Sequence, residues 1–377
     1  MLFVPPFCPN KHCPLHQDPG PWPPNWFLRK GFRFTRVVGL VPRFACRTCR
    51  KGFSSRTFDI DYWVHRKLEY QLLQDLLVAG SGIRQSCRLL GVSTRLLANR
   101  HARMARQALA LQSRCLEDFR LRESLVFDGF ESFAYSQYFP NNLHLLVTSG
   151  SQLVLGLHAA VLRRKGRMTE KQKRRREVLE RDYKAPGNAI FKSSQGLLNY
   201  GCQLSFGSGQ LPIHIISDEK KDYVWALDRL KPFGEWKPEG LLVHETVSSK
   251  APRTLSNPLF PVNYLDRQLR KDVAEHVRES VRFARRIEPS LERAMIHLGH
   301  HNFFKRFRIR SGDKQMTHAQ KAGIDPARLV KLRQASFKWR ALGWRVNLES
   351  WQRDIWMRQT RVPIHTVTPL ARHLMTA

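Results

Sequence analysis

The sequence has few acidic residues for its length, and it therefore carries a large excess of positive charge. Only 31 aspartates and glutamates oppose 64 lysines and arginines, so the formal net charge of the 377-residue chain is +33 at pH 7. Solubility requires far less charge than this. Because each neutralised phosphate releases condensed cations, a nucleic acid is the expected partner of such a surface.

The sequence also lacks the segments that carry proteins into or across membranes. It contains no run of about 18 apolar residues and no long basic amphipathic helix. Residues 1–6 are apolar, but they are too few and too rich in proline for a signal peptide. We therefore expect a cytoplasmic protein with no membrane partner, which joins the nucleoid when it binds DNA.

Cysteine is too scarce, and too unevenly placed, for a disulfide framework. The chain has seven cysteines and no recognisable export signal, which favours thiols or metal ligands. Cys87, Cys115 and Cys202 have no close partner in the sequence, and they are interpreted as small buried apolar side chains. The hydrophobic content of 42% is that of an ordinary packed core, and the length allows two or three domains.

The four remaining cysteines form two close pairs that predict a zinc ribbon over residues 1–58. The second pair is a CxxC followed by basic residues and glycine. Two such knuckles can close a tetrahedron of thiolates around one structural Zn²⁺. The predicted ligands are Cys8, Cys13, Cys46 and Cys49. The first pair is more widely spaced than usual, so His12 or His16 could replace one thiolate, and four buried free thiols are the remaining alternative.

A helix-turn-helix domain with a linker helix is predicted over residues 59–120. Leucines recur at helical spacing before Gly80, a short helix ends at Gly91, and Ser93 can cap a further helix. Arginine and asparagine suit the edges of guanine and adenine in the major groove. The predicted DNA-binding residues, on the exposed side of that helix, are Arg95, Asn99, Arg100 and Arg103. A helical hairpin with a solvated basic face is the alternative.

After Arg120 the pattern changes to strands and predicts a mixed sheet. Three strands form an antiparallel meander and are followed by helix, strand, helix and strand. The predicted strands are residues 124–130, 143–148, 153–161, 213–216 and 240–244, and the predicted helices are residues 188–204 and 223–230. The right-handed crossover rule places the fourth strand beside the first in parallel, so Asp128 and Asp218 can converge at one end of the sheet. Two such carboxylates suit a pair of Mg²⁺ ions.

Together these features resemble the bacterial insertion-sequence transposases that have a zinc ribbon, a helix-turn-helix and an RNase H-like catalytic domain with a DDE or DDD triad. The resemblance covers about residues 1–310 and rests on the order of its motifs. They include Val126-Phe127-Asp128-Gly129, Ile215-Ile216-Ser217-Asp218, and residues 257–270, 278–285 and 301–303. It implies an α/β (α+β) protein with an RNase H-like mixed sheet and flanking helices. It also implies strand cleavage by water and strand transfer by the freed 3′ hydroxyl at one metal site.

The resemblance implies a third acidic ligand for Mg²⁺ or Mn²⁺. Where several relatives have glutamate this chain has Asn263, with Asp266 three residues further on. Apolar residues at helical spacing from Leu265 to Val281 predict a helix that packs on the sheet, with Asp266 at its N-terminal end. The predicted catalytic and magnesium-binding residues are Asp128, Asp218 and Asp266. For Asp266, the alternative is a helix-terminal charge paired with Arg270.

The catalytic domain is expected over residues 121–310, with a basic insertion at about residues 163–187. A basic helical tail is expected to follow it over residues 311–377. The insertion is either a solvated helix face or a contact to DNA. The expected partners are double-stranded DNA, at element ends and target, and further copies of the chain on that DNA. The alternative functions are a catalytically inactive DNA-binding regulator and a nuclease that does not join strands.

Overall fold

The computed structural model describes residues 3–17, 23–277, 282–308 and 316–360. The chain begins with helix α1 (Pro14–Gln17) and strands β1 (Phe27–Thr35), β2 (Gly39–Cys46) and β3 (Gly52–Ser54). These strands form an antiparallel sheet in the order β1-β2-β3. Aromatic rings fill its small core, with Trp26 stacked on Phe53 and Phe27 edge-on to Phe44. This core lies beside the four paired cysteines.

Three helices follow, α2 (Tyr70–Val78), α3 (Ile83–Leu90) and α4 (Thr94–Leu116). Gly91 ends α3 at a φ of 58°, a left-handed conformation that favours glycine. Ser93 caps α4 as predicted, because its Oγ accepts a hydrogen bond from the Leu96 N–H at 3.2 Å. The leucine pattern predicts a first helix between Trp63 and Ala79 and a last helix that ends at about Gln112. Helix α2 begins later, at Tyr70, and α4 continues to Leu116.

A five-stranded mixed sheet occupies the centre of the molecule. Its strands are β4 (Leu125–Phe133), β5 (Pro140–Thr148), β6 (Val154–Val161), β7 (Ile213–Asp218) and β8 (Leu242–Val247). The helices that follow α4 are α5 (Glu170–Asp182), α6 (Ala189–Gly207), α7 (Lys221–Asp228), α8 (Phe260–Asp272), α9 (Ile287–Phe303), α10 (His318–Lys321), α11 (Pro326–Ser336) and α12 (Ser350–Trp356). The spatial order is β6-β5-β4-β7-β8. The mixed α/β class is confirmed.

The directions of the first four strands also follow the prediction. The first three strands form an antiparallel meander, and β7 lies beside β4 in parallel, with β8 parallel to β7. Helix α6 connects β6 to β7 and packs on one face of the sheet, against β5 and β6. Helix α8 packs against β4 and β5. Two helical layers therefore enclose the strands that carry Asp128 and Asp218.

The predicted helix from Leu265 to Val281 is wrong at its C-terminal end. Helix α8 ends at Asp272, because Val273 is extended, with a φ of −107° and a ψ of 109°. Two polar contacts hold the turn that follows against α9: His297 Nε2 lies 3.2 Å from an Asp272 carboxylate oxygen, and Arg293 Nε donates to Glu275 at 2.6 Å. Val281 lies outside the described residues.

Helix α8 also begins earlier than predicted, at Phe260. Asp266 therefore lies in the middle of the helix, and its predicted position at the N-terminal end is wrong in both interpretations. The charge of Arg270 nevertheless acts on Asp266 and opposes the rise in its pKa. Its neighbour Arg270 lies over the ring of Phe130 in β4, 4.5 Å from the ring centroid. This contact fixes the face of α8 that meets the sheet.

The C-terminal stretch returns to the core of the molecule. Trp351 and Trp356 of α12 are both buried, and α12 packs against α4, α6, α9 and β6. Residues 361–377 of the predicted basic tail lie outside the described residues. None of the described helices combines the length and the apolar character that a membrane crossing requires.

The close contact between α6 and the sheet gives a test of this packing. A Cβ atom at Gly201 would lie 2.8 Å from Leu146 Cδ2 and 3.0 Å from Leu125 Cδ1. Substitution Gly201→Leu should therefore lower the free energy of unfolding by about 1–3 kcal/mol through overpacking. The measurement is urea unfolding followed by circular dichroism. In the control Gly207→Ala, whose Cβ meets no atom within 4 Å, stability should not fall; an equal loss in both variants would contradict this packing.

Candidate functional site

The four predicted zinc ligands converge beside the first sheet. The Cys8 and Cys49 sulfurs lie 3.5 Å apart, and those of Cys13 and Cys46 lie 3.9 Å apart. All four sulfurs lie within 4.8 Å of one another. A Zn–S bond of about 2.3 Å implies sulfur–sulfur edges of about 3.8 Å in a regular tetrahedron. The cluster therefore has the size and the donors that a structural Zn²⁺ requires.

Hydrogen bonds of the backbone shape the two knuckles that present these thiols. The Cys13 N–H donates to Asn10 O at 2.9 Å, and the Cys46 N–H donates to Lys51 O at 3.0 Å. His16 Nδ1 lies 2.6 Å from the carbonyl oxygen of Cys8. His16 therefore supports the first knuckle from outside the cluster, and the alternative in which a histidine replaces a thiolate is not the one observed.

Burial disfavours the thiolate form of two of the four cysteines. It raises the pKa of the Cys8 and Cys13 thiols, because a buried thiolate loses its hydration. A bound Zn²⁺ would reverse this preference by supplying the missing positive charge. The sulfurs are also much farther apart than in a disulfide, whose S–S bond is about 2.05 Å. Metal binding is thus the chemistry that suits the four thiols.

The three predicted catalytic aspartates come from three different elements. In the parallel pair of β4 and β7, Phe127 is paired with Ser217. Asp128 and Asp218 each follow one of these residues, so the backbone places them side by side at the end of the two strands. Asp266 approaches from α8, which packs on β4. Among the described residues, only the cysteine cluster brings three or more ligand atoms within 4.8 Å of one another, so the carboxylates are more widely spaced than the thiols.

The electrostatics of these carboxylates show that they share one environment. Burial and the charge of Asp218 raise the pKa of Asp128 to about 6. Burial also raises the pKa of Asp218. The pKa of Asp266 rises well above its usual range through burial and the charge of Asp128. The charge of Asp218 thus acts on Asp128, and that of Asp128 acts on Asp266. Acids that are placed in this way favour a cation between them.

Hydrogen bonding of the three aspartates is incomplete. Asp128 accepts a hydrogen bond from the Gly129 N–H at 2.6 Å, and Asp218 accepts one from the Lys220 N–H at 3.1 Å. The Oδ1 atom of Asp266 is buried and has no hydrogen-bond partner among the described residues. A buried oxygen without a partner costs about 1–3 kcal/mol. A bound cation would satisfy this oxygen.

Sequence reasoning did not predict Tyr223 of α7, which lies beside all three carboxylates. Burial and the charges of Asp128, Asp218 and Asp266 raise the pKa of its hydroxyl. A Cβ atom at Gly129 would lie 2.7 Å from this hydroxyl oxygen, so glycine leaves the space that Tyr223 occupies. The available signal was that Tyr223, an aromatic residue at the start of the next helix, follows Asp218 by only five positions in the sequence.

Two basic residues near the carboxylates were also not predicted. Lys220 and Arg253 both lower the pKa of Asp128, opposing the effect of burial. Lys220 Nζ also lies 5.4 Å from the centroid of the Tyr223 ring. In a chain with 64 basic residues, sequence alone could not separate these two from the others.

The predicted DNA-binding residues of α4 divide into two pairs. Arg95 and Asn99 are exposed, as predicted. Arg100 and Arg103 are each only 5% exposed, so their placement on the exposed side is wrong. Their guanidinium groups donate to the carbonyl oxygens of Arg66 at 2.8 Å and Ile60 at 2.7 Å.

The physical reason is that α4 is enclosed along most of its length. Every residue from Arg100 to Gln107 is buried, and α4 packs against α2, α3, α9, α11 and α12. Only its first turns reach the surface. The expected exposed face of α4 therefore ends at Asn99, although the helix itself continues to Leu116.

The described contacts of the basic insertion and of the α9 histidines are with other side chains of the protein. Helix α5 has no fully buried residue among those described, and the Arg163 guanidinium donates to Glu180 at 2.6 Å and 2.8 Å. The ring of His301 stacks on His318, with centroids 3.8 Å apart. His297 and His301 of α9 are thus packed in the interior.

No profile of a known protein family matches the chain. No curated protein matches its sequence at a significant level. The geometry and charge of the cysteine cluster and of the three aspartates are therefore the basis for assigning a function.

Zinc content tests the cysteine cluster directly. The purified chain should contain one Zn²⁺, and Cys46→Ser should lose it because three thiolates no longer complete the tetrahedron. The measurement is atomic absorption after dialysis. Cys202→Ser, which changes a buried thiol outside the cluster, should keep the metal. Zinc well below one equivalent in the unaltered chain would contradict the assignment.

Proposed function

We propose that the chain is a DNA transposase of the DDE/D type, with an RNase H-like catalytic domain that cleaves and joins DNA strands. The observation that carries the proposal is the approach of Asp128, Asp218 and Asp266 from β4, β7 and α8 to one end of the mixed sheet. In the strand order β6-β5-β4-β7-β8 the fourth strand lies beside the first, as the crossover rule predicts.

The donor set suits Mg²⁺ or Mn²⁺. Both ions prefer carboxylate oxygens, and the three aspartates offer them at a position where burial and mutual repulsion disfavour three bare negative charges. Asp266 Oδ1 is a buried oxygen that lacks a partner among the described residues. When bound there, two such ions supply activation of the attacking oxygen and stabilisation of the leaving oxygen of a phosphodiester.

The residues of the chain itself supply orientation and charge. The Gly129 and Lys220 N–H groups fix the Asp128 and Asp218 carboxylates. Lys220 and Arg253 place positive charge beside the acids, where it would attract the phosphate backbone of a substrate. The Tyr223 hydroxyl lies beside Gly129, 2.7 Å from where a Cβ atom would be, and so contributes a polar group next to Asp128.

DNA binding is proposed to involve the positive charge of the whole chain and the exposed start of α4. A net charge of +33 supplies non-specific attraction to phosphates. Arg95 and Asn99 lie on successive turns after the Ser93 cap, where a recognition helix presents its first residues to the major groove. The zinc ribbon would add a second basic surface, through exposed residues such as Arg29 and Arg33.

Substitution of each aspartate tests the catalytic proposal. Asp128→Asn, Asp218→Asn and Asp266→Asn should each abolish cleavage of duplexes that carry the element's terminal repeats, while DNA binding remains, because asparagine keeps the shape but not the charge of the ligand. Added Mg²⁺ should raise the Tm of the unaltered chain but not that of the three variants. Cleavage is measured by gel electrophoresis, and Tm by calorimetry.

The matched control is Glu131→Gln on the same strand, which removes an exposed acid from the opposite face of β4 and should cut normally. Normal cutting by Asp266→Asn alone would mean that another group is the third ligand. Normal cutting by all three variants would overturn the enzyme proposal. Binding without cleavage by the unaltered chain would favour the inactive regulator, and cleavage without joining would favour a nuclease.

Loss of Arg95 and Asn99 tests the DNA-reading surface. Each alanine substitution should weaken binding to the terminal repeats by about 1–3 kcal/mol and bring it closer to the affinity for a scrambled duplex. Fluorescence anisotropy at fixed salt measures both affinities. Arg88→Ala removes an exposed charge from the neighbouring helix. It should weaken binding to the terminal-repeat duplex and to the scrambled duplex by the same factor. Unchanged discrimination in the Arg95 and Asn99 variants would assign α4 a scaffolding role.

A further inference from the structure

The hairpin of β1 and β2 extends beyond the rest of the first sheet. Strand β3 pairs with β2 only at residues 43–45, so the last part of the hairpin is a ladder of two strands. At its end the Thr35 hydroxyl donates to the Gly39 carbonyl oxygen at 3.3 Å, which closes the turn. We call residues 32–42 the hairpin tip.

One face of the hairpin tip is apolar and exposed. Phe34 is paired with Leu40, and Phe32 is paired with Pro42, so these four side chains share a face. Phe32, Phe34 and Leu40 are 59%, 69% and 67% exposed, respectively. Phe44 follows on the same face of β2 and is buried in the core of the first sheet. The apolar face that forms this small core therefore continues into solvent.

An extra residue in β1 sets this orientation. The register shifts between Arg29, which is paired with Phe44, and Phe32, and Gly31 has a φ of 70° within the shift. Such a bulge changes the alternation of side chains along the strand. In a regular ladder Phe32 and Phe34 would lie on the face opposite Leu40. The bulge thus brings both rings to one side of the hairpin.

The hairpin also carries positive charge that no acid balances. The sequence from residue 19 to residue 58 contains no aspartate or glutamate. Lys30, Arg33 and Arg36 are exposed. Within the part of the chain that the structure describes, none of the three forms an ion pair. A partner that fits this surface must therefore offer flat apolar faces together with negative charge.

We propose that the hairpin tip binds single-stranded DNA by stacking unpaired bases on Phe32 and Phe34. A strand rises about 3.3 Å per residue, so the two side chains leave the backbone about 6.6 Å apart. Nucleic-acid bases stack about 3.4 Å apart, so one base between two rings needs about 6.8 Å. The two phenylalanines thus have the spacing to hold a base on both of its faces, while the neighbouring cations contact phosphates.

Unpaired bases fit the hairpin tip better than a duplex or a second copy of the chain. In a duplex the base faces are covered by their neighbours, and the grooves expose only the base edges. A second copy would bring the same excess of positive charge, which opposes contact between the two hairpins. The choice of DNA over RNA rests on the proposed function, whereas stacking itself needs none of the three aspartates.

Fluorescence anisotropy with the full-length, zinc-loaded chain tests this inference. The probes are a labelled oligo(dT) strand of about 20 nucleotides and a duplex of equal length at the same salt concentration. Phe34→Ala should weaken oligo(dT) binding by about 5- to 150-fold, because a stacked base is lost, and should leave duplex binding unchanged. Phe34→Tyr keeps an aromatic ring and should bind oligo(dT) as the unaltered chain does. Zinc content and Tm should stay the same in both variants, because the Phe34 ring is exposed.

The matched control is Phe206→Ala, which removes a 54% exposed ring at the end of α6 and should leave oligo(dT) binding unchanged. Normal oligo(dT) binding by Phe32→Ala and Phe34→Ala would overturn the proposal, as would equal weakening of oligo(dT) and duplex binding. Tighter binding to an oligo(rU) strand would assign the surface to RNA instead. A changed oligomeric state in sedimentation, with normal oligo(dT) binding, would assign it to a second copy.

The catalytic proposal can fail separately from this one. Asp128→Asn should bind oligo(dT) as tightly as the unaltered chain, because the hairpin tip contains none of the acids. Loss of oligo(dT) binding in Asp128→Asn would place the single strand at the end of the central sheet and would overturn the assignment to the hairpin tip. Absence of cleavage in the unaltered chain, with oligo(dT) binding that depends on Phe34, would reject the catalytic proposal and support this one.

Discussion

The parallel pairing of β4 with β7 is the constraint on which the rest of the structure depends. It joins two strands that are separated in the chain by β5, β6, α5 and α6. The connection through α6 must cross the sheet and return, and it thereby covers one face. The pairing also sets Asp128 beside Asp218, since each follows a paired residue. Helix α8 packs on β4, and the charge of Asp128 raises the pKa of Asp266, the acid that α8 carries.

Much of this arrangement could be predicted from local patterns. The strands are short apolar runs bounded by turns, and the crossover rule fixes the partner of the fourth strand. The positions of Asp128 and Asp218 follow from that topology alone. The cysteine pairs likewise specify their cluster, because four thiols at knuckle spacing have few other uses in such a sequence. In both cases the informative signal lies within a few residues of the site.

The errors arise where tertiary contacts override periodicity. The apolar spacing from Leu265 to Val281 continues beyond α8, but contacts of Asp272 and Glu275 with α9 accompany an extended residue at Val273. Arginines 100 and 103 look like surface residues in a basic chain, and composition gives no sign that α4 is enclosed by the C-terminal stretch. Lys220, Arg253 and Tyr223 are identified only by which charges surround them. The contacts of α4, α9 and Arg253 join distant parts of the chain, so no window of sequence contains them, whereas Lys220 and Tyr223 follow Asp218 within five residues.

The end of the sheet carries negative charge that its surroundings do not balance. Burial disfavours the charged form of all three aspartates, and one oxygen of Asp266 lacks a partner among the described residues. Lys220 and Arg253 offset only part of this effect at Asp128, whose pKa stays above its usual range. Since a charge that loses its hydration without gaining a partner is costly, this imbalance supports the metal cation proposed for the three acids.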